Sequence, residues 1–211
     1  MSEADRRVRM VHDHLRGRGV RDERVLQAFL TIPRQGFVPE ALRAQAYEDH
    51  PLPIGEGQTI SQPYIVALMI EALRLRGTEQ VLEVGTGSGY QTALLSLLAL
   101  EVSSVERLPL LAEAALARLG SLKLPMLNVH LRVGDGAEGW PERAPYDAII
   151  VSAATPRVPP ALKEQLAEGG RLVLPLGAPS SQTLTLIAKE RGQLTSTALG
   201  DCVFVPLISS A

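Results

Sequence analysis

The residues best placed to do chemistry are glycines and acids in the middle of the chain. The segment VLEVGTGSGY, Val81–Tyr90, places glycines at 85, 87 and 89 between a buried strand and the start of a helix. Glycine permits tight turns in which backbone amides and a helix N-terminus face a ligand lying over the strand ends. We therefore predict a nucleotide-like ligand at this loop. The predicted contacts within it are Gly85, Thr86, Gly87, Ser88 and Gly89.

Acidic side chains accompany three successive predicted strands. Glu83 precedes the glycine loop, Glu106 ends the next strand, and Asp135 with Gly136 follows the third. The carboxyl ends of parallel strands meet at one edge of a sheet, so these acids are expected near the loop. Three carboxylates suit a ligand with ribose hydroxyls and a positive charge, whereas they would repel a pyrophosphate.

Two common nucleotide motifs fit this loop poorly. The dinucleotide pattern G-x-G-x-x-G needs its third glycine one residue later, at position 90, which is Tyr. The phosphate-binding pattern G-x-x-x-x-G-K-[ST] needs a Gly-Lys pair, and the chain has none. The loop therefore disfavours a nicotinamide cofactor. It also lacks the Gly-Lys pair that would hold the phosphates of a nucleoside triphosphate.

A second candidate site is the segment 47–63, YEDHPLPIGEGQTISQP. Its three prolines and two glycines make it too irregular for a helix or a regular strand. A loop of this length is more often functional than an idle connection. Pro63 suits the first turn of a helix that runs to about Leu73, with Ser61 or Gln62 at its cap.

The elements that position these residues alternate between strand and helix after Thr78. This alternation predicts an α/β fold with a doubly wound, mostly parallel sheet covered on both faces. We predict strands at 80–84, 101–106, 128–133, 146–152 and 171–176, and helices at 90–98, 108–119 and 160–166. Strands at 184–190 and 202–207 should pair as an antiparallel C-terminal edge, because the link 191–201 is too short for a helical crossover.

The first part of the chain is predicted to be helical. Val8, Val11 and Leu15 share one face, and Asp22 can cap a second helix that ends before Pro33. We expect residues 1–77 to form a helical N-terminal cap with the long loop, and residues 78–211 to form the ligand-binding core. Both belong to one compact unit in this interpretation.

Composition excludes several classes of protein. The 211 residues are 45% hydrophobic and 21% charged with a net charge of −2, which fits a packed globular protein without attraction to nucleic acid. Cys202 has no cysteine to pair with, the chain opens with no leader, and its apolar runs are too short for a bilayer. We expect a cytoplasmic protein. His12 and His14 lie on different sides of a helix, so no metal is expected.

The motifs together resemble a known family. E-x-G-x-G-x-G at Glu83–Gly89, with Glu106 and Asp135, resembles class I methyltransferases that use S-adenosylmethionine. The segment PLPIGEGQTISQPYIVALM at 51–69 is similar to the signature of the protein-L-isoaspartate O-methyltransferase family. IPRQGFVP, RVGDGAEGW, APYDAIIVSAA, GGRLVLPLG and FVPL extend the resemblance over nearly the whole chain.

The resemblance implies a fold, a cofactor and a reaction. It implies a Rossmann-like α/β/α sandwich that binds S-adenosylmethionine, with S-adenosylhomocysteine as product and no metal. Glu106 would bind the ribose hydroxyls, and the Asp135 loop would flank the adenine. The reaction is methylation of the free α-carboxylate of L-isoaspartyl residues in damaged proteins and peptides, after which the ester collapses to a succinimide. The family's active-site serine falls on Ser61, and we take Thr59, Ile60 and Ser61 as the substrate clamp.

Several alternatives stay open from the sequence. Ser61 could simply cap the Pro63 helix. A methyltransferase of the same fold could act on a small-molecule carboxylate, and a binding-only module could sense the donor. A nicotinamide-dependent oxidoreductase is weaker, because no Tyr-x-x-x-Lys pair occurs. The segment SAATPR at 152–157 lacks the [DN]-P-P-[YFW] motif, which disfavours amine methylation of nucleic acid.

The sequence departs from the family pattern at two places. Some relatives extend past the final strand with residues that cover the donor, whereas this chain stops four residues after Leu207. We therefore expect the N-terminal cap to cover the donor. Tyr64 stands where some relatives carry His. A monomer is expected.

Overall fold

The computed structural model describes residues 2–122, 128–178 and 180–209, which form six α-helices and nine strands. The helices are α1 Glu3–Arg9, α2 Glu23–Thr31, α3 Pro63–Leu73, α4 Tyr90–Ser96, α5 Pro109–Ser121 and α6 Pro160–Gln165. The strands are β1 Leu52–Gly55, β2 Gln58–Ile60, β3 Gln80–Val84, β4 Glu101–Glu106, β5 Val129–Val133, β6 Tyr146–Val151, β7 Leu166–Ala178, β8 Ser181–Glu190 and β9 Gln193–Cys202. None of these helices has the length and apolar character needed to cross a bilayer.

Seven strands form one sheet in the order β5-β4-β3-β6-β7-β8-β9. The pairs from β5 to β7 are parallel, and β8 and β9 add an antiparallel edge. Val84 lies level with Val105 of β4 and Val151 of β6, so the carboxyl ends of these strands meet at one edge. The strand order reverses at β3, and open α/β sheets bind ligands in the crevice at such a point. The structure confirms the predicted doubly wound, mostly parallel fold.

The last strand lies elsewhere than the sequence predicted. We expected a strand at 202–207, but β9 is Gln193–Cys202. Arg191 and Gly192 have φ angles of 51° and 73°, so a two-residue turn starts β9 directly after β8. Most residues of β9 are exposed at the sheet edge, and its apolar pattern is correspondingly weak. The predicted strand at 202–207 and the predicted link at 191–201 were therefore wrong, although the antiparallel pairing is confirmed.

The N-terminal helices are fixed to the rest of the molecule by apolar packing. The run from α1 through Arg18 ends at Gly19, which has a φ of 104°, and Asp22 caps α2 through the amides of Arg24 and Val25. Buried residues of this region belong to one apolar cluster with residues of α3, α4 and the sheet.

Candidate functional site

A cleft with about 900 Å³ of empty space lies over the carboxyl ends of β3, β4 and β6. It brings together most of the site residues that the sequence predicted. Those on its walls are Thr59, Ile60, Ser61, Gly85, Thr86, Gly87, Ser88, Glu106 and Gly136. Glu83, Gly89 and Asp135 are not among its lining residues. Both candidate segments of the sequence, the glycine loop and the long loop, therefore meet in one place.

The glycine loop forms the floor of the cleft and holds Glu106 in its wall. Gly85 and Gly87 have φ angles of 92° and 54°, which favour glycine. The Glu106 carboxylate accepts hydrogen bonds from the backbone amides of Gly87 and Leu108, each at 2.9 Å. A carboxylate has about four lone-pair sites, so its oxygens can accept further bonds from ligand hydroxyls. Glu106 is thus presented to the cleft in a fixed orientation.

Gly89 and Asp135 lie behind the walls. A Cβ on Gly89 would lie 3.2 Å from the Cβ of Ala115, so the absence of a side chain lets α5 pack on the loop. Asp135 accepts hydrogen bonds from the amide of Ala137 (2.8 Å) and the hydroxyl of Ser209 (3.0 Å). These bonds hold the turn that presents Gly136 to the cleft. Direct ligand contact by Gly89 and Asp135 stays a prediction.

Glu83 is completely buried beneath the cleft. Its carboxylate accepts hydrogen bonds from the side chains of Thr92 (2.5 Å), Ser104 (2.6 Å) and Gln91 (3.0 Å). Burial raises the pKa of Glu83 to about 7, against the three hydrogen bonds, which act to lower it. Gln91 also donates to the Ser152 hydroxyl at 2.9 Å, and both of these residues line the cleft. The geometry makes Glu83 a support for cleft residues, and its contact with a ligand stays a prediction.

We expect Glu83→Gln to remove a pH-dependent part of the stability. The folded-state pKa of about 7 lies above the usual 4.5, so the folded state binds this proton more tightly than the unfolded state does. This contribution is fully present below about pH 4.5 and is lost as pH rises through about 7, to the extent of roughly 3 kcal/mol. A glutamine is neutral, and its amide can donate to the Ser104 or Thr92 hydroxyl.

Thermal unfolding between roughly pH 5 and pH 8 measures this effect. The melting temperature of the unaltered protein should fall more over this range than that of the Glu83→Gln variant. Parallel curves for the two proteins would show that the Glu83 proton does not contribute to the stability.

The strands β1 and β2 form a hairpin beside the cleft, in the segment that we predicted to be too irregular for a regular strand. They are joined by a tight turn in which Glu56 and Gly57 have φ angles of 52° and 68°. The side chain of Ile54 packs against the glycine loop at Gly87. Ile60 is buried, whereas the next residue, Ser61, is half-buried and its hydroxyl makes no hydrogen bond to any described residue. That hydroxyl is available to a ligand in the cleft.

The start of α3 is capped by a residue that the sequence reasoning missed. Gln62 occupies the N-cap position, one of the two residues that we predicted there, but neither its side chain nor that of Ser61 makes a capping hydrogen bond. The Asp49 carboxylate instead accepts from the amide of Tyr64 at 3.0 Å. The sequence offered one indication of this cap, namely an acidic residue in the loop that precedes α3. The hydroxyl of Ser61 is therefore not engaged in capping.

Part of the cleft wall comes from the C-terminal segment and none from the N-terminal helices. We expected the cap to cover the ligand, but the lining includes residues 205–208 and none of residues 2–50. This segment is held by Ala154, whose amide donates to the Val205 carbonyl and whose carbonyl accepts from the Leu207 amide, both at 2.7 Å. The sequence did not predict residues 205–208 at the site, because they are distant in sequence from β6 and reach its end only in the folded chain. Gln91, Arg107, Ser152 and Ala153 are further lining residues that were not predicted.

The fold and the cleft together define a class of protein. A reversing α/β sheet, a glycine loop after the first strand of the sheet domain and an acid at the end of the second strand are typical of class I S-adenosylmethionine-dependent methyltransferases. The Glu106 carboxylate fits ribose hydroxyls and a cationic ligand. Within the described ranges, no three His, Cys, Asp or Glu side chains form a group that could hold a metal ion.

Comparison with known proteins gives the family. The model of the protein-L-isoaspartate(D-aspartate) O-methyltransferase family matches residues 6–211. A protein-L-isoaspartate O-methyltransferase of Koribacter versatilis is 54% identical over 204 residues, which cover 97% of this chain and 91% of that protein. The chain belongs to the protein-L-isoaspartate(D-aspartate) O-methyltransferase family.

Two solved structures share the fold of this chain. One protein-L-isoaspartate O-methyltransferase superposes with a TM-score of 0.86 at 32% identity, and the match covers 96% of this chain and 66% of that chain. A Plasmodium falciparum structure described as the same kind of enzyme, in complex with S-adenosyl-L-homocysteine, has a TM-score of 0.81 at 27% identity and covers 94% of this chain and 96% of that one.

Proposed function

We propose that this protein transfers a methyl group from S-adenosylmethionine to the free α-carboxylate of L-isoaspartyl residues in damaged proteins and peptides. One observation carries the proposal. A single cleft is lined by the glycine loop, by Glu106 and by Ser61, whose hydroxyl makes no hydrogen bond to any residue that the structure describes. Transfer between two bound molecules requires this adjacency, because the reacting atoms must meet in line.

The donor side consists of the glycine loop and Glu106. When bound, S-adenosylmethionine supplies a methyl group carried on a positively charged sulfur. Glu106 would accept hydrogen bonds from its ribose hydroxyls, and the loop from Gly85 to Ser88 would lie against it. The amides of Gly85 and Gly87 already donate to the Val105 carbonyl and to Glu106, and so they hold the loop itself. Glu83 holds Gln91 in place beneath this region. Asp135 and Gly136 would flank the adenine.

The acceptor side needs orientation and not a strong base. A carboxylate with a pKa near ~4 is already ionised at neutral pH. The Ser61 hydroxyl can donate to one of its oxygens without competing as a nucleophile, while Thr59 and Ile60 form the adjacent wall. The side chain of Ile60 is buried and gives that wall an apolar surface. Correct positioning of reactants can contribute on the order of 7 to 11 kcal/mol.

The organisation of the chain extends the proposal. We propose residues 1–77 as a cap with the substrate loop and residues 78–211 as the methyltransferase core, acting as one compact monomer in the cytoplasm. The apolar cluster that spans both parts supports the single unit. A net charge of −2 supports protein and peptide partners over nucleic acid, and the single cysteine is compatible with a reducing compartment.

A pair of peptides that differ only in an Asp or isoAsp linkage tests the function. With radiolabelled S-adenosylmethionine, we expect label in the isoAsp peptide and none in its Asp counterpart. Equal labelling of both peptides would contradict the repair function. Labelling of neither peptide, with labelling of small carboxylic acids, would favour the small-molecule alternative.

A further inference from the structure

One acid holds the junction between the hairpin and α3. Asp49 has a side chain that is only 12% exposed. Its carboxylate accepts hydrogen bonds from the Tyr64 amide (3.0 Å), from Gln62 Nε2 (2.9 Å) and from Arg18 Nη1 (2.6 Å). Gln62 Nε2 also donates to the Asp49 carbonyl at 2.8 Å. The residues directly after Ser61 are thus fixed to a single carboxylate.

Arg18 ties the N-terminal region to the same junction. Its guanidinium carbon lies 3.6 Å from the centroid of the Tyr64 ring, and its Nη1 atom donates to Asp49. Cation–π contact and a charge-assisted hydrogen bond both favour this arrangement. The carboxylate also lies at the N-terminus of α3, where the helix dipole favours negative charge. Asp49 therefore joins Arg18 of the N-terminal region to the start of α3.

We propose that Asp49, together with Arg18, is a positioning residue that fixes Ser61 at the wall of the cleft. The Ser61 side chain makes no hydrogen bond to any described residue, so its neighbours determine where its hydroxyl lies. Ile60 is buried on one side, and Gln62 and Tyr64 are bound to Asp49 on the other. The inference rests on the proposed function, in which Ser61 orients the substrate carboxylate.

The Asp49→Asn variant tests the positioning role. One amide oxygen replaces two carboxylate oxygens, and the new NH₂ group faces either the Tyr64 amide or the donors of Gln62 and Arg18. We expect kcat/KM for an isoaspartyl peptide to fall about 100-fold, through both a higher KM and a lower kcat. Calorimetric binding of S-adenosylhomocysteine should stay within about twofold, since Asp49 lies outside the donor side. Hydrogen exchange over residues 58–66 in the ligand-free protein should become about tenfold faster.

Two arginines provide a matched pair of variants. Arg18 and Arg16 have side chains that are both 46% exposed, and each pairs with one acid, Asp49 at 2.6 Å and Glu23 at 2.7 Å. Arg18→Gln should lower kcat/KM for the peptide about tenfold and accelerate exchange at the junction, while Arg16→Gln should match the unaltered protein.

Several outcomes would overturn the positioning role. The first is that Asp49→Asn and Arg18→Gln keep the peptide kinetics and the hydrogen exchange of the unaltered protein. The second is that Arg16→Gln loses as much kcat/KM as Arg18→Gln does. The third is that Asp49→Asn loses S-adenosylhomocysteine affinity in parallel with kcat/KM. Inactivity of the unaltered protein on the isoaspartyl peptide would instead remove the proposed function. The exchange measurement would still decide whether Asp49 holds the junction.

Discussion

Replacing Ser61 by alanine is expected to lower kcat on an isoaspartyl peptide 10- to 100-fold, with little change in donor affinity. The Ser61 hydroxyl has no partner among the described residues, so the variant loses its bond to the substrate carboxylate and no bond within the fold. A hydrogen bond to a charged group contributes roughly 1.5 to 3 kcal/mol, and about 1.4 kcal/mol corresponds to a factor of ten. Steady-state kinetics at saturating S-adenosylmethionine measure this loss.

The stability of the same variant separates catalysis from capping. Asp49 and not Ser61 caps α3, so the melting temperature of Ser61→Ala should stay within about 2 °C of the unaltered value. Ser121→Ala is a control, because among the described residues the Ser121 hydroxyl bonds only to the Arg118 carbonyl of its own helix. Unchanged turnover together with a lower melting temperature in Ser61→Ala would remove Ser61 from the catalytic residues.

Glu106→Ala is expected to weaken donor binding about 100-fold. The variant would lose hydrogen bonds from two ribose hydroxyls, each contributing about 1.5 kcal/mol or more to binding. It would also leave the amides of Gly87 and Leu108 without their acceptor, which loosens the floor of the cleft. Calorimetric titration with S-adenosylhomocysteine gives the dissociation constant directly.

A second acid on the same strand provides the control for Glu106. Glu101 lies at the opposite end of β4, where it pairs with His130 at 3.3 Å and Arg143 at 3.5 Å. Glu101→Ala should bind S-adenosylhomocysteine with unchanged affinity. If Glu106→Ala also binds normally, the donor does not lie in this cleft.

The sheet could be predicted where its strands are buried. The spans of β3 and β4 were predicted to the residue. Most residues of both strands are buried, and each strand has two valines, a residue type that favours strands. The edge strand β9 could not be found in this way. Its residues are exposed, so the sequence has no apolar pattern to mark them, and the turn at Arg191 and Gly192 is only two residues long.

The site residues could be predicted where they lie close together in one segment of the sequence. The glycine loop and the segment from Thr59 to Ser61 are continuous in sequence, and both line the cleft. Glu83 shows the limit of such reasoning: the sequence places it beside the loop, but its carboxylate turns inward to Thr92 and Ser104. Asp49 was missed because its partners are up to 31 residues away in the chain.

A crystal structure with sinefungin and an isoaspartyl peptide decides most directly whether one cleft serves both molecules. We predict the nucleoside against the loop of residues 85–88, with its ribose hydroxyls on Glu106 and the Ser61 hydroxyl on the peptide's free carboxylate. A nucleoside bound elsewhere, or a Ser61 hydroxyl turned away from the peptide carboxylate into solvent, would contradict it.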